Sequence, residues 1–546
     1  MIKKNEYGIA RWKIDSDEER RLAQLADDSP EGKHAYVEYY RINDAEYYAG
    51  GLPWIERELE RFGVEVQGDE RQAIVEDMIY SLHRFGFSYE EYFQFKLIEK
   101  NAKEREEYIQ IIKDLNGDVN GRKAALDFIE NSDIWVHGKP APFPYVPNFF
   151  NSQDLEYLEN VCKITHAILC KVITHYLEDE NYRKLFAFSP ELEKLILLPC
   201  GYEQKLPMGR FDIFLDEETK DFKFCEFNTD GSGAMSRDFM ISSALELGET
   251  YKRFTKNHKV EKFELIDSWI EAFMETYKSF KGAVDVPNVC VTDFEESGVF
   301  SDFNRFIESF KKHGIPARFV DVRKFEFDGE HLIDPSDGTI IHAIYRRAVT
   351  SEILQHPGEC DALIDAVAVG KVCLIGHFRT TIVHSKVVNI VLFDKQTRAF
   401  LTKQECEFID KHVPRTYRFT SENEDFTLEE VKTNKDNWII KPEDDYGAHG
   451  VFPGVDFEQN EWEKLVEENL DSSYILQEFC KPPLVDIVRP EIPDDGDLCK
   501  VESWQSMPGF YQYNGKLAGF YCREGQEGVI AIDHGGLCVS SFKVDC

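Results

Sequence analysis

Between residues 208 and 228 the chain carries two short apolar runs around a polar turn, and no other stretch constrains the fold as strongly. Gly209-Arg210-Phe211-Asp212-Ile213-Phe214-Leu215 comes first, Asp216 to Asp221 forms the turn, and Phe222-Lys223-Phe224-Cys225-Glu226-Phe227-Asn228 follows. Polar and apolar residues alternate with period two, so the two runs predict an antiparallel hairpin. A connection of about three to five residues sets Asp212 opposite Glu226 and Arg210 opposite Asn228. All four then share one face, while Phe211, Ile213, Leu215, Cys225 and Phe227 point into a core.

Two carboxylates and an amide oxygen at one end of an apolar hairpin need a compensating charge. A divalent cation would supply it, since Mg²⁺ takes oxygen ligands at about 2.1 Å and borrows one or two carboxylates. Arg210 beside them suits a phosphoryl or tetrahedral oxyanion. The alternative is an ion-paired sheet end in which Arg210 neutralises Asp212 or Glu226. Because it relieves like-charge crowding, neutralising either carboxylate is expected to leave the fold nearly intact while removing turnover.

Charge narrows the class of ligand. The formal net charge is −37 over 546 residues, the wrong sign for binding nucleic acid through phosphate neutralisation. An acidic surface keeps the chain soluble and would attract a cationic small molecule such as a polyamine. The longest apolar stretch, Ala362 to Phe378, contains Asp365 and Lys371, so no membrane span is expected. The N-terminus turns acidic too early for a secretory signal. Thirteen cysteines stand singly, with no Cys-x-x-Cys pair, which predicts a reduced compartment and a cytoplasmic address.

Residues 1–150 read as a mainly helical extension. Leu52 to Ile55 opens an apolar pattern, Ile74, Val75, Met78, Ile79 and Leu82 continue it at helical spacing, and Asn101 to Leu115 carries another stripe. Four prolines between Trp135 and Pro147 predict an extended crossing or linker. Residues 151–283 hold a long helix and the hairpin. From 284 to 378, β runs at Asn288–Thr292, Ala317–Val322, Ile340–Tyr345 and Lys371–Ile375 surround a helix at Asp302–Lys312, which predicts an inserted parallel βαβ subdomain. Residues 379–546 alternate strands (Trp438–Lys441, Ser473–Gln477, Lys516–Cys522) with helices (Thr402–Lys411, Asn460–Asn469).

This last segment holds further candidates. Lys441 ends an apolar strand and precedes a loop with Gly447 and Gly450, and glycines let backbone N–H groups close on phosphate oxygens. Ser385-Lys386 places a second lysine at the edge of an apolar run. Gln477-Glu478-Phe479-Cys480 has the form of a strand running into a hinge, where backbone groups can meet an adenine edge. Arg523 ends a late strand.

Taken in order, Arg210-Phe211-Asp212, Glu226-Phe227-Asn228, Ser385-Lys386, Lys441-Pro442 with Gly447, Gln477-Glu478 and Arg523-Glu524 resemble the synthetase part of the glutathionylspermidine synthase family. The likeness covers roughly residues 150–540; the first 150 do not resemble the amidase domain of its two-domain members. It implies an α+β, circularly permuted ATP-grasp fold and an ATP-dependent ligase that joins a small-molecule or peptide carboxylate to an amine of polyamine-like class. It implies ATP and Mg²⁺ as cofactors, with the metal on Asp212, Glu226 and Asn228. ATP phosphates would lie on Lys386, Lys441 and Gly447, adenine beside Gln477, Glu478, Phe479 and Cys480, and the transferred group under Arg210 and Arg523. Tyr345-Arg346-Arg347 falls where the family meets its acid substrate, with Arg346 and Ser232 as the substrate candidates and an ordinary surface arginine pair as the alternative. The family has serines after the hairpin where this chain has Asp230-Gly231-Ser232-Gly233, so the resemblance does not fix the substrate's identity. The loop from Tyr446 to Gly454 is the expected lid. The alternative is a catalytically silent nucleotide-binding clamp.

Overall fold

The computed structural model describes residues 21–22, 30–43, 71, 75–76, 78, 103–217, 220–443, 449–493 and 496–545. Its contacts divide the chain into two compact units, residues 1–100 with 218–220, and residues 101–217 with 221–546. In the smaller unit, helix Pro30–Asn43 buries Tyr36 and Val37, and Val75 and Met78 are also buried. The pattern expected at Leu52 to Ile55 and most of that from Gln72 to His83 lie outside the described residues. Among the described residues no helix is long and apolar enough to cross a membrane.

The larger unit mixes helices with antiparallel and parallel sheets. Its central sheet runs Leu537–Val539, Lys516–Gly525, Glu502–Tyr513, Met208–Leu215, Phe222–Asn228, every pair antiparallel. Leu484–Ile487 joins Glu502–Gln505, beyond the reach of the hairpin strand. The hairpin has the expected register, Arg210 opposite Asn228 and Asp212 opposite Glu226. One detail differs. A bulge follows Asp212, so Ile213 pairs with Phe224 and Cys225 is the extra residue. Phe222 and Phe224 therefore join Phe211, Ile213, Leu215 and Phe227 in the core, and Cys225 lines a cavity instead.

That core is closed by helix Ser152–Glu178, which starts at a capping box between Asn151 and Asp154. Its Val161, Leu169, Val172 and Ile173 lie in one apolar cluster with the hairpin phenylalanines, each large side chain contributing roughly 1.5–3 kcal/mol by leaving water. The hairpin is thus anchored from behind, which leaves its polar face free for function.

Residues 103–150 belong to this unit as well. Asp118 accepts from Thr250 N–H at 2.7 Å, and Asn148–Phe150 pairs in parallel with Ser541–Val544. The proline-rich stretch is not a solvent-exposed linker. After a two-stranded turn at Trp135–Val136 and Lys139–Pro140, Ala141, Phe143, Tyr145 and Val146 are all buried in the main core. Their alternation with prolines hid four apolar residues that pack.

The inserted parallel sheet has the order Cys373–Ile375, Ala343–Arg346, Val289–Asp293, Ala317–Asp321, with helix Phe300–Lys312 crossing between the last two. The single run expected at Ile340–Tyr345 is divided at His342. Thr339–Ile341 belongs to a small antiparallel sheet with Leu332–Asp334, whereas Ala343–Arg346 belongs to the parallel one. A further antiparallel sheet runs Thr416–Arg418, Tyr474–Glu478, Trp438–Pro442, Phe452–Pro453. Trp438, Ile440 and Leu476 pack behind it on Phe419, Trp462 and Val466, so Ile439, Lys441 and Gln477 take the other face.

Candidate functional site

Across the central sheet, Glu226 pairs with Asp212, Asp212 with Gly509, and Gly509 with Tyr521. Directly paired residues share a face, so this row and its neighbours Arg210, Asn228, Tyr511 and Arg523 present one polar surface. Gly509 makes room for it. A Cβ there would strike Asp212 Oδ1 and come within 2.9 Å of the Tyr521 carbonyl and 3.1 Å of Arg210 Cδ. Strand Glu502–Tyr513 was not among the expected strands, and its Pro508 and Gly509 are residues that usually interrupt one. Pro508 is tolerated because pairing with the hairpin strand begins only at Gly509.

Asp212 is fully buried and answered by two guanidiniums. Arg210 chelates it through Nε at 2.7 Å and Nη2 at 2.9 Å, and Arg523 Nη2 donates to Oδ2. Burial pushes the Asp212 carboxyl up against the pull of Arg210 and Arg523. This end of the sheet is therefore ion-paired, as the second sequence reading has it, and neutralising Asp212 would strand two buried cations. Glu226 differs, its side chain being 32% exposed. Burial would raise its pKa, but Arg523, then Lys386, Asn228 and Arg210 outweigh that and hold the carboxyl far below the usual range. Arg523 Nε is buried without a hydrogen-bond partner.

The donor set fits a hard cation. Asn228 Nδ2 lies 3.0 Å from both Asp212 Oδ2 and Glu226 Oε1, so a half-turn of that amide brings its oxygen beside both carboxylates. Among the described residues no group of three or more His, Cys, Asp or Glu is arranged for a metal; the set here is two carboxylates and an amide.

Facing this surface, Lys441 Nζ donates to Gln477 Oε1 at 2.8 Å, and Gln477 Nε2 to Thr416 Oγ1 at 2.8 Å. Lys441 is buried. Lys386 stands in the turn after helix Thr381–His384, and its backbone N–H donates to the Glu443 carbonyl at 3.1 Å, just beyond the Lys441 strand. Glu478 N–H is used on Arg415 O at 2.9 Å and Phe479 N–H on Asn437 O at 2.8 Å. Neither can offer its N–H to a bound base. Gly447 and Tyr446 lie outside the described residues; His449 and Val451, later in the same loop, line the cavity.

A cavity of about 380 Å³ lies between the two sheets. Arg210, Glu226, Asn228, Lys386, Lys441 and Arg523 line it, and so do Gln477 to Cys480. Ser232 and Arg346 do not; they border a separate space of about 20 Å³. Ser232 Oγ donates to the Asn228 carbonyl at 2.6 Å and braces a turn. Arg346 is buried against Asp230, with its other nitrogens on the Gly376 and Ala348 carbonyls. Its neighbour Arg347 reaches the cavity instead, because successive residues at a strand end turn to opposite sides. Arg237 and Tyr521 line it too, and nothing in their sequence surroundings singled them out.

No known protein-family model matches the sequence, and no curated protein sequence matches it significantly. Solved structures do align with the chain, two of them as follows. One is a glutathione synthetase-like effector from Globodera pallida, at 14% identity over 78% of this chain and 96% of the other, with a TM-score of 0.46. The second, from Methylobacillus flagellatus KT, carries the name gamma-glutamylcysteine synthetase and aligns at 13% identity over 72% and 89%, with a TM-score of 0.37.

Proposed function

We propose that this chain is an ATP-dependent carboxylate–amine ligase of circularly permuted ATP-grasp architecture, similar to glutathionylspermidine synthase in how it handles the nucleotide. One observation carries the reading: a single cavity gathers two lysines from one side and Arg210, Arg523, Glu226 and Asn228 from the other. That is the charge pattern a nucleoside triphosphate and a carboxylate would need when brought end to end.

In this reading Lys441 and Lys386 bind the phosphates as cations, and Gln477 fixes the Lys441 ammonium in place. Asp212 holds the guanidiniums of Arg210 and Arg523, so both are oriented before the substrate arrives and need not reorganise during transfer. The γ-phosphoryl passes from ATP to a carboxylate oxygen of the acid, giving an acylphosphate and ADP. The amine then attacks the acyl carbon, phosphate leaves, and the amine's surplus proton passes to solvent or phosphate. Glu226, Asn228 and Asp212 would hold Mg²⁺, which supplies charge neutralisation at the phosphates when bound.

The test is product identity. With panels of γ-glutamyl peptides and amines, ADP and inorganic phosphate should appear together. Hydroxylamine in place of the amine should trap a hydroxamate in an amount equal to ADP. AMP as product, or ADP with no trappable acyl group, rejects the ligase in favour of the nucleotide-driven clamp.

A further inference from the structure

The cavity also carries positive charge that the fold answers only in part. The Arg347 side chain is 3% exposed and lines the cavity, yet its Nε and Nη1 have no hydrogen-bond partner. The nearest carboxylate, Asp302, stands 3.6 Å from Nη1. It is already engaged, through Oδ2 by the Ala234 N–H at 2.8 Å and through Oδ1 by the Ser236 N–H at 2.9 Å. Asp293, the other acid on that side, accepts from the Phe294 N–H at 2.9 Å, and burial pushes its carboxyl up to about 6. Arg237 stands on the first turn of helix Met235–Leu245 and donates to the Tyr521 hydroxyl at 3.1 Å. Among the described residues no carboxylate lies within ion-pair distance of it. Its guanidinium sits 6.0 Å from the centre of the Tyr521 ring, on which Arg210 also rests at 5.4 Å. Buried guanidinium N–H groups without acceptors are costly unless a ligand meets them.

The loop that departs from the family pattern is shaped to this arginine. Asp230 draws Arg346 away to the other side. Gly231, at φ +64°, leaves no room for a Cβ, which would come 2.6 Å from both the Arg347 carbonyl and Val349 Cγ1. A Cβ on Gly233 would strike Arg347 Nη2 itself. Small residues here are what let the Arg347 guanidinium into the cavity.

We propose that Arg347 and Arg237 form a second anion subsite for a carboxylate that has no ammonium beside it, so the acid substrate is a simple dicarboxylate and not an α-amino acid. The proposal rests on the ligase reading for the carboxylate activated beside Arg210 and Arg523. At the Arg347 end neither Asp302 nor Asp293 lines the cavity, so no carboxylate stands there to meet an ammonium.

Calorimetric titration of the full chain without nucleotide tests it, with glutarate, butyrate and L-glutamate as probes. Glutarate should bind at least tenfold more tightly than butyrate and no more weakly than glutamate. Arg347→Met and Arg237→Met should each weaken glutarate at least tenfold, while the affinity for a non-hydrolysable ATP analogue stays unchanged. Arg237 is the more exposed of the two, so its variant keeps the test open should Arg347→Met fail to fold. Equal binding of glutarate and butyrate, glutamate preferred tenfold, or glutarate affinity intact in Arg237→Met overturns the proposal. So does inorganic phosphate binding more tightly than glutarate and being lost in the same variants, which would assign the arginines to a phosphoryl group. Failure of the ligase reading shows separately, as ADP formed by the unaltered chain with no hydroxamate trapped from any acid.

Discussion

The two walls of the cavity handle charge in opposite ways. On the central sheet, Asp212 is met by Arg210 and Arg523, and Glu226 by Asn228 and, at 3.8 Å, Arg523. On the facing sheet the buried ammonium of Lys441 has a neutral partner, the amide oxygen of Gln477, which is itself held by Thr416. The first wall is electrically complete without a ligand. The second leaves a cation that has no carboxylate partner among the described residues. Charge on the first wall should therefore govern stability, and charge on the second should govern affinity.

Asp212→Asn breaks the comparison hardest. It leaves two buried guanidiniums facing a neutral amide, so the folded state should lose about 3–5 kcal/mol, read by chemical denaturation. A loss near zero would mean that like-charge repulsion with Glu226 dominates, and the two walls would not differ. Next comes Lys441→Ala, which should leave stability nearly unchanged but weaken a non-hydrolysable ATP analogue by about ten- to a hundredfold, the value of one charge-assisted contact. Lys386→Ala should act in the same direction. Calorimetry on both variants decides, and unchanged binding in both removes the phosphate site from this wall.

Much of this contrast was legible in the sequence, for reasons particular residues show. The hairpin register followed from period-two alternation and a short turn, so Arg210, Asp212, Glu226 and Asn228 were placed on one face from pattern alone. The bulge at Cys225 was not legible, because one extra residue leaves local composition unchanged. Strand Glu502–Tyr513 was hidden by Pro508 and Gly509, whose fitness depends on where a distant strand stops pairing. Arg346 and Arg347 are adjacent and chemically identical, and only the tertiary position of Asp230 decides which one enters the cavity. Long-range packing of that kind leaves no local signal.

Glu226→Gln is a smaller perturbation that sharpens the first wall by pH. Its folded carboxyl is depressed, since the nearby cations outweigh burial, so its contribution is complete above the unfolded glutamate value of about 4.3. It is lost as pH falls below that value toward the lower folded one. Exposure of 32% of the side chain limits the size to about 1–2 kcal/mol. The stability gap between the unaltered chain and Glu226→Gln should hold flat from pH 8 to 5 and close on further acidification. A gap that grows below pH 5 reverses the sign and contradicts the arrangement of cations around it.

The smallest expected effect belongs to Ser232→Ala, and it separates brace from contact. Ser232 Oγ donates to the Asn228 carbonyl at 2.6 Å and borders only the small separate space. Losing one such hydrogen bond should cost about 0.5–1.5 kcal/mol, visible as a modest fall in thermal midpoint. Because Asn228 reaches the cavity and Ser232 does not, any effect on turnover must pass through the position of that asparagine. It should then lower kcat and shift the Mg²⁺ requirement, leaving KM for the acid unchanged. A rise in KM for the acid with kcat and melting intact would mean that the hydroxyl touches substrate after all, and that the turn opens enough in solution to let it.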